Sequence, residues 1–135
     1  MFLFNFGKTN NLKGFKKYLG EEDKLQRSVV TYLNWEYPEA IFTHVPNEGR
    51  RTPFERFKFK HLGSKAGVPD LMIFNTNCDF NGLAIELKVG RNKPTELQIQ
   101  WLKWLDECGW ETHVLYNFDD VKSVLDLYFF KVKNI

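Results

Sequence analysis

Along this chain the spacing of apolar residues changes several times, and each change predicts a new element. From Glu21 to about Glu36, Leu25, Val29, Val30, Tyr32 and Leu33 recur at helical spacing, behind acids suited to the positive end of a helix. A helix is predicted there, ended by "YPEA". "IFTHV" at 41–45 reads as a short strand closed by Pro46, and residues 53–62 open on a proline and give a short basic helix before Gly63. "DLMIF" (70–74) and "LAIELKV" (83–89) are apolar on both faces, as in strands inside a sheet, and the turn-rich "NTNCDFNG" separates them. "PTELQIQWLKWLDECG" predicts a helix with Pro94 near its start, Gly109 past its end, and Leu97, Trp101, Leu102, Trp104 and Leu105 turned inward. "WETHVLY" is a further strand, and "DDVKSVLDLYFF" a last helix capped by Asp119 or Asp120. The order is that of a mixed α/β sandwich.

Composition narrows this picture. A length of 135 residues suits one domain, assigned to 21–135, behind a basic arm or short helix over residues 1–20. With 43% hydrophobic and 27% charged residues the chain is globular, and its 13 Phe and 4 Trp predict an aromatic core. A net charge of +2 is too small to mark a nucleic-acid binder, but its distribution is uneven. Residues 50–65 carry six cations (Arg50, Arg51, Arg56, Lys58, Lys60, Lys65) against one acid, Glu55, a local +5. Cys78 and Cys108 lack CxxC spacing, which removes support for a disulfide framework or a thiolate zinc site. No run reaches the length of a membrane span, so a soluble cytoplasmic protein with no membrane partner is expected. "GKT" at Gly7 lacks the upstream glycine of a phosphate loop, since Phe2 stands there.

The apolar strands carry charges that need an explanation. A turn centred near Cys78 would pair residues whose numbers sum to about 156 across an antiparallel hairpin, setting Asp70 opposite Glu86, with Lys88 on the same face as Glu86. Two carboxylates at cross-strand distance repel, and one would hold a proton at neutral pH unless a cation compensated. Mg²⁺ fits, because it accepts oxygen ligands and needs few protein carboxylates beside water and phosphate oxygens. The alternative is a strand-ending aspartate with a solvated Glu–Lys pair; the apolar neighbours on both faces weigh against it.

Two helical residues join these candidates. At about 100° per residue the apolar face of the first helix centres near 40° from Leu25; Glu22 falls at about 60° and Glu21 at about −40°, so Glu22 points inward, on the side of Gln26. It serves either the helix dipole or the site. Gln98 completes "TELQ", a capping box with Thr95, and is balanced between cap and site. His44 precedes the "PNEG" turn; it could approach the site, although a strand histidine is commonly structural.

"EDKLQRSVV", "HVPNEGRR", "KHLGSKAGVPDLMIF", "GLAIELKVGRNKPTELQIQW" and "LDECGW", taken in order, resemble the VRR-NUC branch of the PD-(D/E)xK nuclease superfamily over about residues 22–116. The resemblance implies a restriction-endonuclease-like core, a central mixed β-sheet flanked by α-helices, and metal-dependent DNA cleavage. Asp70 and Glu86 would hold Mg²⁺ or Mn²⁺ with the Leu87 backbone carbonyl, and Glu22 would reach the metal through water or hold a second ion. Lys88 would orient or deprotonate the attacking water, and Gln98 would position Lys88 or the scissile phosphate. Asn47, Arg50, Arg51 and Lys60 would meet the DNA backbone. The small members of this branch imply a homodimer acting on branched DNA, especially four-way junctions. A nuclease for flaps, forks or ends is the alternative, and a non-catalytic DNA-binding scaffold is the alternative of another class.

Overall fold

Five consecutive residues, Leu83–Leu87, are buried on both faces and form the strand on which the rest is assembled. The computed structural model describes residues 12–46 and 51–133. In chain order these hold α1 (Leu12–Phe15), which runs into a 3₁₀ turn (Lys16–Tyr18), α2 (Glu21–Glu36), β1 (Phe42–His44), α3 (Pro53–His61), β2 (Leu71–Ile73), β3 (Leu83–Leu87), α4 (Glu96–Glu107), β4 (Glu111–Leu115) and α5 (Phe118–Lys133). The sheet order is β1-β2-β3-β4. β1 and β3 run antiparallel to β2, whereas β4 is parallel to β3, so the sheet is mixed. A parallel neighbour requires a crossover, and α4 provides it while packing on β3 and β4.

Leu71 pairs with Ile85, Met72 with Ala84 and Ile73 with Leu83, which is the register expected from the turn position. Leu83, Ile85 and Leu87 share one face with Leu71 and Ile73 and pack against Val29 and Leu33 of α2 and Val121, Leu125, Tyr128 and Phe129 of α5. Burying each such side chain contributes about 1.5–3 kcal/mol. The pleat turns Ala84 and Glu86 to the other face.

Several elements differ from the sequence expectation. The ladder stops short of both charged ends: Asp70 lies just before β2 and Lys88 just after β3, although the Lys88 N–H still donates to the Leu115 carbonyl at 3.0 Å. The acid and the ammonium therefore sit at the mouth of the sheet. α5 is capped by Asn117 rather than Asp119 or Asp120: its Oδ1 accepts the Asp120 N–H at 2.9 Å while its Nδ2 donates to the Asp120 carboxylate at 2.9 Å. On α4, Leu97 and Trp104 are 56% and 48% exposed, because this helix covers only the β3–β4 half of the sheet. Trp101 is held at its edge, donating from Nε1 to the Ala66 carbonyl at 2.9 Å. At Gly67 (φ +86°) a Cβ would stand 2.8 Å from the Leu97 Cβ, so glycine is required where the loop before Asp70 presses on α4. Residues 12–18 are helical but bury none of the 3₁₀ turn, with Phe15 and Tyr18 exposed. Cys78 and Cys108 are free and exposed. Among the described residues no helix is long and apolar enough to cross a membrane.

Candidate active site

Backbone contacts fix the first carboxylate. The N–H of Leu87 donates to Asp70 Oδ2 at 2.8 Å, so the side chain is tied to the end of β3. The Asp70 carbonyl accepts from the Val45 N–H at 3.1 Å and meets His44 Nδ1 at 2.8 Å. A carbonyl only accepts, so Nδ1 of His44 carries a proton. The β1–β2 pairing thus brings His44 beside Asp70, closer to the site than a structural strand histidine would imply.

Glu86 is different. It is 0% exposed, and among the described residues neither carboxylate oxygen has an aligned hydrogen-bond donor. Lys88 Nζ lies 3.2 Å from its Oε1, an ion-pair distance, and 3.8 Å from Glu22 Oε1. The ammonium therefore joins the first turn of α2 to the end of β3. Glu22 is 39% exposed where Glu21 is 75%, in agreement with the inward angle read from the helix.

Burial pushes the Glu86 carboxyl up to about 7, and the Asp70 charge adds to this; the Lys88 ion pair opposes it without cancelling it. Burial also raises Asp70, against the pull of the Leu87 N–H, His44 and Lys88. For Lys88, burial favours the neutral amine, but Glu86, Glu22 and Asp70 outweigh it and hold the ammonium form. The site is short of positive charge: three carboxylates face one ammonium.

Among the described residues, no three of His, Cys, Asp and Glu converge tightly enough to form a complete protein cage for a metal. A hard divalent cation with only one or two carboxylates and several waters needs no such cage. Buried oxygens without aligned donors at Glu86, beside a second carboxylate, match that donor set. Gln26, one turn along α2 from Glu22, also buries both amide atoms without a partner, a polar vacancy that its inward angle foreshadowed.

The remaining candidates divide. Gln98 is buried and acts as the cap: its Oε1 accepts the Thr95 N–H at 2.8 Å, and its own N–H donates to Thr95 Oγ1 at 3.2 Å. Arg51 lies with its guanidinium 3.8 Å from the centre of the Phe59 ring, and Lys60 is exposed on α3. Asn47 and Arg50 lie outside the described residues.

A mixed sheet flanked by helices, with an acid–lysine cluster at the end of its central strand, defines an α/β protein of the restriction-endonuclease-like class. The chain belongs to the VRR-NUC domain family, whose profile matches residues 16–119. It is similar to a solved VRR_NUC domain protein at 30% identity and a TM-score of 0.66, covering 82% of this chain and 88% of that one. A second solved VRR_NUC domain, at 18% identity and a TM-score of 0.53, shares the fold over 82% of this chain and 99% of its own. No curated protein matches the chain. The family implies a nuclease-type function, with DNA as the class of substrate.

Proposed function

We propose that the protein is a metal-dependent, structure-selective DNA endonuclease in which Asp70 and Glu86 hold Mg²⁺ or Mn²⁺. The observation that carries this reading is a fully buried Glu86 carboxylate whose oxygens have no aligned hydrogen-bond donor among the described residues and whose burial and Asp70 neighbour outweigh its Lys88 ion pair. A buried carboxylate whose desolvation is only partly offset by one ammonium remains costly, and a divalent cation would offset that cost further. When bound, the metal supplies Lewis acidity to a water and to the scissile phosphate.

The chain's own groups do the rest. Asp70 is held in place by the Leu87 N–H, which orients its carboxylate toward Glu86 and leaves Oδ1 for the cation. The Leu87 carbonyl would be the further backbone ligand, and Glu22 would act through water. Lys88, an ammonium in the protein alone, binds a phosphate oxygen and orients the attacking water. Gln98 fixes the start of α4, whose free N–H groups suit an anion, and so acts through positioning. Arg51 and Lys60, with Asn47 and Arg50, contact backbone phosphates, giving affinity and salt dependence without sequence choice. One such site cuts one strand, so paired cuts on a four-way junction require a homodimer.

The test is cleavage of a labelled four-way junction beside a duplex, a flap and a single strand, with Mg²⁺ or Mn²⁺, for wild type and Lys88→Ala. Paired symmetric cuts on the junction, lost in the variant, are expected. Cleavage centred on flaps or ends would keep the nuclease and discard the resolvase. Tight binding without cleavage under either metal would leave a DNA-binding scaffold.

A further inference from the structure

α3 is a helix with almost nothing to hold it. None of its nine residues is buried. Isolated helices below about 12 residues are marginal in water. Its ends are well made: Thr52 Oγ1 accepts the Glu55 N–H at 3.2 Å, Glu55 Oε2 accepts the Thr52 N–H at 2.9 Å, and Pro53 occupies the first turn. Its flanks are aromatic. Phe54 and Phe57 are 70% and 61% exposed, and the Phe57 ring stacks on His61 at 5.3 Å between centroids.

Position around the helix separates two kinds of ring. At about 100° per residue, Phe54, Phe57 and His61 fall within about 60° of one another, while Phe59 lies about 140° from Phe54. Phe59 is half-buried under the Arg51 guanidinium. Among the described residues the outer stripe has no such cover, and Lys58 and Lys60 border it on opposite sides, at about 40° and −120° from Phe54. Arg56 adds a third cation, and the one acid of the helix, Glu55, is engaged in its cap.

We propose that α3 is a base-stacking element: Phe54 and Phe57 receive bases left unpaired at a DNA branch or gap, while Lys58 and Lys60 take the flanking phosphates. The inference rests on the DNA-directed reading above and names the feature of the substrate that is recognised. Rings interleaved with cations suit single-stranded nucleic acid, because every base offers a π-face and every nucleotide a phosphate. A second copy of this chain is the poorer occupant. Facing copies of α3 would set Arg56, Lys58 and Lys60 against the same three cations.

Binding without metal isolates this surface from catalysis. The full-length protein in chelator is titrated with a gapped duplex, carrying in the gap a fluorescent purine that is quenched on stacking, and with a fully paired duplex. Wild type is expected to prefer the gapped DNA and quench the probe. Phe54→Leu with Phe57→Leu keeps the apolar bulk but removes the rings; it should weaken gapped binding on the order of tenfold or more and abolish quenching, with paired binding unchanged. Phe54→Trp with Phe57→Trp should restore both. Equal affinity of wild type for the two DNAs, or an unchanged Leu variant, overturns the proposal. Conversion of a dimer to a monomer in sedimentation by the Leu variant, with quenching retained, would assign the stripe to a contact between copies instead. Failure of the nuclease reading appears elsewhere, as absence of cleavage by wild type, which this binding experiment does not use.

Discussion

Two of the carboxylates that meet a lysine, Asp126 and Glu86, have opposite surroundings. Asp126 of α5 accepts hydrogen bonds from the hydroxyls of Tyr32 and Tyr37, the latter at 2.6 Å, and from Lys122 at 2.7 Å. Glu86 of β3 is more deeply buried and has no aligned hydrogen-bond donor among the described residues, only the Lys88 ammonium at 3.2 Å. The first cluster ties α2 to α5 and is internally satisfied; the second leaves carboxylate lone pairs without an aligned donor among the described residues. For Asp126, burial alone would raise the pKa, but Lys122 and the two tyrosines outweigh it and hold the carboxyl below its usual range. Glu86 is pushed the other way, up to about 7. A carboxylate that has its donors supports the fold; one without aligned donors is a candidate for chemistry, and the proposed metal site gives Glu86 that role.

Replacing each carboxylate by its amide should separate these roles most strongly. Glu86→Gln is expected to lower the cleavage rate on the order of a thousandfold, since a neutral amide is a poor ligand for a hard cation. Thermal unfolding of the same variant in chelator at pH 8 should show a gain of about 1–2 kcal/mol, because it removes a charge whose burial and Asp70 neighbour outweigh its Lys88 ion pair. Loss of both activity and stability would instead give Glu86 a structural role. Asp126→Asn should behave in reverse, with cleavage kept and stability reduced by about 1–2 kcal/mol. The lower end is expected, because Asp126 is 37% exposed and water screens its charge.

The pH dependence sharpens the contrast, since the two groups act with opposite sign. Asp126 has a folded pKa below its unfolded one, so its contribution is full above about pH 4 and is lost as pH falls through the folded value. Glu86 has a raised folded pKa. The folded state then binds the proton more tightly, and stability falls as pH rises from about 4.3, the unfolded value, to about 7. Asp70 shifts in the same direction and adds to this fall. Denaturant titrations of the metal-free protein between these limits should trace both limbs. Glu86→Gln should flatten the neutral limb alone, and Asp126→Asn the acid limb alone. Mg²⁺ or Mn²⁺ should recover stability at the neutral end in wild type and have no effect in Glu86→Gln.

How far the sequence announced these two clusters follows from how local their causes are. Asp70, Glu86 and Lys88 were legible because a single hairpin turn sets their register, and the observed pairing of Leu71 with Ile85 keeps the expected sum. Glu22 was legible from one helix angle. The Asp126 cluster was not, because Tyr32 and Tyr37 lie some ninety residues away and meet it only when α2 packs on α5. His44 reaches Asp70 through the β1–β2 pairing, which no short-range pattern encodes. Leu97 and Trp104 were expected inside because helical periodicity reveals an apolar face but not how much sheet lies beneath it. The Asn117 cap was hidden by two acids that follow it, either of which would serve.

The smallest effect concerns the lysines. Lys122 pairs with Asp126 at 2.7 Å one helical turn away, with the two side chains 46% and 37% exposed. Such i,i+4 pairs contribute about 0.3–0.5 kcal/mol, so Lys122→Met should change the urea midpoint only slightly and leave cleavage untouched. The two tyrosine hydroxyls remain to satisfy Asp126, which is why the ammonium is dispensable there. Lys88→Met lacks any such reserve: it would remove the ammonium that pairs with Glu86, and should destabilise the metal-free protein at pH 8 more than Lys122→Met does. Equal small effects of the two substitutions would mean that Glu86 remains protonated at that pH, and that the cation proposed there would first have to displace a proton.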